Sequence, residues 1–210
     1  MSSDPPSGGP SHPPDRAPAL ATEPGQAAVV AALGGALIDA VEQHLPGARA
    51  HAESTGGYAF TLAVALDHDR ERSELIREAA KLHDVGMVYV PVSTLRKPTA
   101  ELDDADRALL ASHIEAGARL ALGAGIPEHV CGWILATRER WDGAGPERLR
   151  EDAIPIESRI IRAACAADLM LATAGAVGTV AGLRAAAGTE LDPRVVDALA
   201  GVLERVAPRP

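Results

Sequence analysis

Residues 75–86 read Leu-Ile-Arg-Glu-Ala-Ala-Lys-Leu-His-Asp-Val-Gly. Leu75, Ile76, Ala79 and Leu82 recur at three- and four-residue steps, so this stretch is read as a helix with one apolar stripe that runs on to His83. The stretch from Val85 to Leu95 that follows, with Gly86 and Pro91, reads as an irregular loop. Working backward, His51, Tyr58, Leu62 and Leu66 mark a second helix, and Val30, Leu33, Leu37, Ile38 and Val41 mark a first, with Pro46 and Gly47 between the two. Working forward, Asp103 and Asp104 suit an N-cap for a helix through Leu109, Leu110 and His113. A further helix is expected over Glu128 to Arg138. Two glycines and a proline make Trp141 to Pro146 a loop. Helical pattern resumes over Ile154 to Ala172, and two shorter helices close the chain, the last capped near Asp192-Pro193.

Composition agrees with that pattern. Of 210 residues, about a fifth are alanine and only 2% are aromatic. Alanine is the best helix former and aromatics favour strands, so the expected fold is all-α with closely approaching helices. Residues 1–26 are rich in Pro, Ser and Gly and are expected to be a disordered tail, leaving residues 27–208 as one folded domain. The net charge of −9 and the scarcity of rings exclude a general DNA or RNA binder, although a local cationic pocket for a small anion remains open. Cys131 and Cys165 are the only cysteines and form no CxxC spacing, so neither a disulfide framework nor a thiolate zinc site is expected, and a reducing cytoplasm fits. Prolines and Asp4 stand where a secretion signal would need basic and apolar residues. The uncharged stretch Leu169 to Leu183 falls short of the roughly 20 apolar residues of a membrane span, so it is read as interior helix. It can pack within the chain or form a homodimer face.

Seven histidines occur. His12 lies in the tail, and His44, His68 and His129 fall near helix ends. His51, His83 and His113 are placed on three helices, and His83 is followed by Asp84. Adjacent side chains on a helix diverge by about 100°, so His83 and Asp84 can share one ion only where it sits in a groove between helices. A nitrogen and carboxylate set suits iron, manganese, zinc or cobalt.

These residues fall in segments that resemble a known family, the HD-domain metal-dependent phosphohydrolases, and within it the HD-GYP branch. The likeness is carried by GARAHAES (47–54), AAKLHDVGMVYVPVSTLRKP (79–98), LDDADRALLASHIEAGARL (102–120), ERWDGAGP (139–146), IPIESRIIRAACAADLML (154–171) and GTELDPRVVDAL (188–199). It covers roughly residues 30–205. The resemblance implies an HD-domain-like helical bundle enclosing two or three metal ions, and phosphodiesterase activity toward cyclic di-GMP or a related cyclic dinucleotide. It also implies metal ligands at His51, His83, Asp84 and His113, with Asp84 catalytic.

The departures from that family fall in the site. Met87 replaces the Lys after His-Asp-x-Gly, and Thr137 and Arg138 replace a histidine pair. The loop lacks its Tyr, so Gly145 precedes Pro146. Cys165 stands where the closing helix carries a ligand Asp, while Asp168 survives. The segment between Ala172 and Gly188 is short and lacks an Arg-containing stretch. Cys165 is a candidate substitute ligand or a small packing residue. Arg138 is a candidate phosphate-binding group or the end of a solvated helix, and Trp141 is read as packing. Three outcomes follow: a phosphohydrolase holding one divalent ion or none, with two-metal activity weak or lost, a non-catalytic signalling module that binds a partner protein or nucleotide, or a purely structural helical domain with vestigial histidines.

Overall fold

The computed structural model of the chain describes residues 23–206. Residues 1–22, most of the expected tail, and His12 lie outside them, as does the expected domain end at residue 208. Eight α-helices follow in order: α1 (Gln26–His44), α2 (Ala48–Ala65), α3 (Arg70–Lys81), α4 (Val92–Leu95), α5 (Asp104–Gly123), α6 (Glu128–Leu135), α7 (Ile156–Ala186) and α8 (Pro193–Val206). No strand occurs among the described residues, so the fold is all-α as the alanine content implied.

α2 sits at the centre, packed against α3 and α7, with α1 and α8 alongside. The core is built from small and branched aliphatics: Val30 on α1, Ala59, Leu62 and Ala63 on α2, Leu75, Ile76 and Ala79 on α3, Ile160, Ile161 and Ala164 on α7, and Val195, Val196 and Leu199 on α8. Alanine at the contacts lets helix axes approach closely without large rings to fill the gaps. Local signals set several boundaries as expected. Asp103 caps α5 by accepting from the Asp106 amide, and Asp106 returns the bond to the Asp103 amide. Pro193 starts α8, and Asp192 accepts from the Arg194 amide.

Two expectations need correction. The third helix stops at Lys81, so His83 and Asp84 sit in a turn rather than on the helix, and the supposed irregular loop opens with a 3₁₀ turn, Val85–Tyr89, before Pro91 leads into α4. The reason is tertiary. Gly86 lies against α5 so closely that a Cβ on it would sit 1.8 Å from the His113 carbonyl oxygen and 2.6 Å from the Gly117 nitrogen. A continued helix would carry the chain away from that contact. The second correction concerns Leu169 to Leu183. Only its end is interior, with Thr179, Val180 and Leu183 buried, whereas Leu169 is 59% and Val177 87% exposed. Gly175, at φ 63° and ψ 178°, breaks α7 within this stretch, which explains why two short closing helices were legible in the sequence. α7 is long and apolar enough by composition to cross a membrane, yet its first half is built into the core through Ile160, Ile161, Ala163, Ala164 and Ala167.

The Gly86 contact makes a clear prediction for thermal unfolding. Gly86→Ala must displace backbone and should cost about 3 kcal/mol, with a fall of several degrees in Tm. Gly35→Ala, in α1 with nothing within 4 Å of the new Cβ, should leave Tm unchanged or raise it. Equal shifts in both variants would contradict the role assigned to Gly86.

Candidate functional site

Three elements bring the histidines together. His51 comes from the first turns of α2, His83 and Asp84 from the turn after α3, and His113 from the middle of α5. Each imidazole has its Nδ1 fixed. His51 Nδ1–H donates to Asp168 Oδ2 at 2.6 Å, and His83 Nδ1–H donates to the Ala80 carbonyl at 2.7 Å. His113 Nδ1–H donates to the Leu110 carbonyl. The other ring nitrogen of each then faces Asp84. His113 Nε2 is 3.1 Å and His83 Nε2 3.3 Å from Asp84 Oδ1, while His51 Nε2 is 3.6 Å from Asp84 Oδ2.

With their Nδ1 protons committed, neutral imidazoles present three lone pairs to a carboxylate that also has only acceptors. Such an arrangement is repulsive unless positive charge enters it, as protons on the rings or as a cation between them. His83 shows the point most sharply: it is 4% exposed, and its Nε2 makes no hydrogen bond. An unbonded buried polar atom costs about 1–3 kcal/mol. Carbonyl or carboxylate anchoring of one imidazole nitrogen is the usual way in which the other is aimed at a metal. Burial disfavours the charge on Asp84, but the charge of His83, the hydrogen bond from His113 and the charges of His113 and His51 outweigh it. The carboxyl is held well below the usual carboxylate range.

α7 closes the site. Cys165 Sγ lies 3.8 Å from His51 Nε2, and His51, His83 and Cys165 each offer a ligand atom, all within 4.8 Å of one another. Burial, then the charges of Asp84 and Asp168, push the Cys165 thiol up to about 12, with Arg162 opposing them. Asp168, which the resemblance marked as surviving, and two residues the sequence did not single out, Ser54 and Lys81, also contribute. Asp168 orients His51, Ser54 donates to Asp168 Oδ1, and Lys81 reaches the cavity described next. The i, i+3 spacing of Cys165 and Asp168 was the available signal, since it puts both on one face of α7.

His51 and Asp84 open onto a cavity of about 440 Å³ whose walls include Ile38, Val41, Leu45, Pro46, Ala52, Val85, Met87 and Leu169. No aromatic side chain lines it. The Lys81 ammonium is engaged by Glu78 at 3.1 Å and Glu53 at 3.4 Å. A larger open depression of about 690 Å³ beside Tyr89 and Arg119 gathers no comparable polar set.

The remaining sequence candidates lie elsewhere. The Thr137 hydroxyl donates to the Ile134 carbonyl at 2.7 Å, and the Thr137 carbonyl accepts from Arg162 at 3.0 Å. The Arg138 guanidinium donates to the Ala111 carbonyl on α5, and Arg138 is not among the residues lining the cavity. Trp141 carries the Arg159 guanidinium over its ring at 5.6 Å. His44 lies away from the site, its Nε2–H donating to the Val90 carbonyl at 2.7 Å.

Comparison with known proteins agrees with the fold. A family model described as an HD domain matches residues 35–195. The chain is 37% identical over 127 residues to a 3′3′-cGAMP-specific phosphodiesterase 2 of Vibrio cholerae, covering 59% of this chain and 24% of that one. It is 33% identical over 172 residues to the cyclic di-GMP phosphodiesterase response regulator RpfG of Xanthomonas campestris, covering 78% and 45%. The chain thus spans between about a quarter and under half of the length of these relatives. Among solved structures, an HDG"Y"P protein from Bdellovibrio bacteriovorus superposes with a TM-score of 0.64 at 22% identity, over 75% of this chain and 52% of that one. The HD domain of the Listeria monocytogenes phosphodiesterase PgpH, in complex with cyclic-di-AMP, gives 0.61 at 16% identity, over 83% and 98%.

If the imidazoles hold an ion, His83→Ala should empty the site, whereas His68→Ala, in the turn between α2 and α3, should leave metal content unchanged. Asp168→Asn should keep the ion but weaken its binding roughly 10–100-fold. Elemental analysis and chelator competition on the purified variants check both statements, and equal metal loss in the two histidine variants would refute the ligand set.

Proposed function

The chain belongs to the HD domain family, and on that premise we propose that it is a metal-dependent phosphohydrolase acting on a phosphoester of the cyclic-dinucleotide type through a site for one divalent ion. The observation that carries this reading is the convergence of three Nδ1-anchored imidazoles on Asp84, with the buried Nε2 of His83 unbonded. His51, His83 and Asp84 would hold the ion. His113 positions Asp84, and Asp168 with Ser54 positions His51. A bound divalent ion supplies positive charge for the phosphoryl oxygens and acidifies water. Asp84 reaches both the imidazoles and the cavity, so its carboxylate is placed to orient a substrate-side water.

The residues around the site favour one ion over two. Thr137 and Arg138, where the HD-GYP resemblance expects imidazoles, are committed to the Ile134 and Ala111 carbonyls. Met87 makes the cavity wall apolar where an ammonium would meet a phosphate. Lys81 is already paired with two carboxylates. Without aromatic walls, purine bases gain no stacking. The preference is therefore for a phosphoester other than cyclic di-GMP, whose turnover is weak or absent. Two free cysteines suit a reducing, cytoplasmic setting. The same commitments of Thr137 and Arg138 favour the second reading, a non-catalytic signalling module that binds a nucleotide or a partner protein.

One experiment separates the two. The anaerobically purified chain should carry about one transition metal per chain, hydrolyse a simple activated phosphodiester, and turn cyclic di-GMP over slowly or not at all. A metal ratio near two with rapid cyclic di-GMP hydrolysis would overturn the one-ion assignment. Nucleotide binding with no hydrolysis of any substrate in the panel would establish the signalling module.

A further inference from the structure

We propose that Cys165 enters this centre as a thiolate, so that the site is a sulfur-containing one that selects a borderline-soft ion, zinc or cobalt, over manganese; this rests on the reading of the same site as a metal centre. α7 grips the His51 ring from both sides. Asp168 holds Nδ1 at 2.6 Å, and Cys165, one turn earlier on the same face, presents Sγ to Nε2 at 3.8 Å. That separation matches an edge of a tetrahedral site. Metal–nitrogen bonds of about 2.0 Å and metal–sulfur bonds of about 2.3 Å place the two ligand atoms about 3.5 Å apart. The 3.6 Å from His51 Nε2 to Asp84 Oδ2 is likewise longer than a hydrogen bond and close to a ligand–ligand edge.

An independent observation points into the same space. The His83 Nε2, on a side chain 4% exposed, has no hydrogen-bond partner, and a ligand atom of His83 lies within 4.8 Å of those of His51 and Cys165. Two imidazoles and one thiolate make three ligands, and Asp84, 3.3 Å from His83 Nε2 and 3.6 Å from His51 Nε2, is the carboxylate that would complete the four a tetrahedral ion takes. Softness then decides the ion: thiolate sulfur favours zinc or cobalt, whereas manganese prefers oxygen. On binding, the Cys165 proton leaves to solvent as the sulfur–metal bond forms, with no change in oxidation state. Cys131 provides an internal contrast, because its Sγ is buried beside the Ile126 carbonyl at 3.6 Å, away from any histidine cluster.

The test loads the metal-free full chain with cobalt(II) and records its absorption spectrum. The expected result is one cobalt per chain with a sulfur-to-cobalt charge-transfer band in the near ultraviolet. Cys165→Ser should lose the band and bind zinc at least roughly 10-fold more weakly, with a smaller change for manganese, while Cys131→Ser keeps both. Cys165→Asp should bind one ion without the band and shift its preference toward manganese, which also reports that the variant folds. One cobalt per chain with no charge-transfer band would overturn the thiolate assignment and leave the metal centre standing. Failure to bind any cobalt or zinc would overturn both.

Discussion

Gly86 meets α5 backbone to backbone, and the site is arranged around that contact. The Cβ position of Gly86 falls 1.8 Å from the His113 carbonyl oxygen, and that of Gly117 falls 2.8 Å from the Gly86 nitrogen, so neither residue can carry a side chain without moving a main chain. Because the two backbones touch, the turn holding His83 and Asp84 is pinned against the helix holding His113. The 3.1 Å between His113 Nε2 and Asp84 Oδ1 is a consequence of that pinning. α2 reaches the same point from the other side through its packing on α3 and α7. Ligand geometry here is therefore set by helix packing rather than by loop conformation, which is how a site is held to within fractions of an ångström.

Charge gives the second constraint. The chain is acidic overall at −9, and its site collects Asp84 and Asp168 beside an aliphatic cavity. The nearby cations are spoken for: Lys81 by Glu53 and Glu78, and Arg162 by the Thr137 carbonyl and Glu190. An anionic phosphoester approaching this cavity meets no uncompensated cation among the lining residues. On the proposed reading, positive charge would come with an ion. The composition that excluded nucleic-acid binding thus bears directly on the site, because it leaves the attraction of an anion to a ligand set instead of to Lys and Arg.

Local signals made most of the fold legible. Helix period, Pro46-Gly47, the Asp103 cap and Asp192-Pro193 each act within a few residues, and each appears where the sequence placed it. The end of α3 was not legible because Leu82 continues the apolar stripe, and what stops the helix is a contact with residues about 30 positions later. Leu169 to Leu183 was misread for a different reason: hydropathy reports what could be buried, and among the described residues Leu169 and Val177 have no neighbouring element to bury them. At the site, His51, His83, Asp84 and His113 could be picked out from their segments. The anchoring of each Nδ1 could not, since two of the three acceptors are backbone carbonyls, which every residue has.

On the proposed reading, the departures from the HD-GYP pattern leave half of the site in place. A vestigial site under no constraint would be expected to fill: a buried imidazole nitrogen with no partner is removed by almost any apolar substitution at His83, and its loss would recover the roughly 1–3 kcal/mol that desolvation costs. The replaced positions have in fact been absorbed into ordinary structure, Thr137 into a helix end, Arg138 into a tie to α5, and Met87 into the cavity wall. His83 has not. It keeps an anchored Nδ1, a bare Nε2 and a carboxylate beside it, with a sulfur on the neighbouring helix within reach of His51. On the reading proposed above, the unsatisfied Nε2 of His83 is where a single ion would enter, beside positions that ordinary structure has taken up.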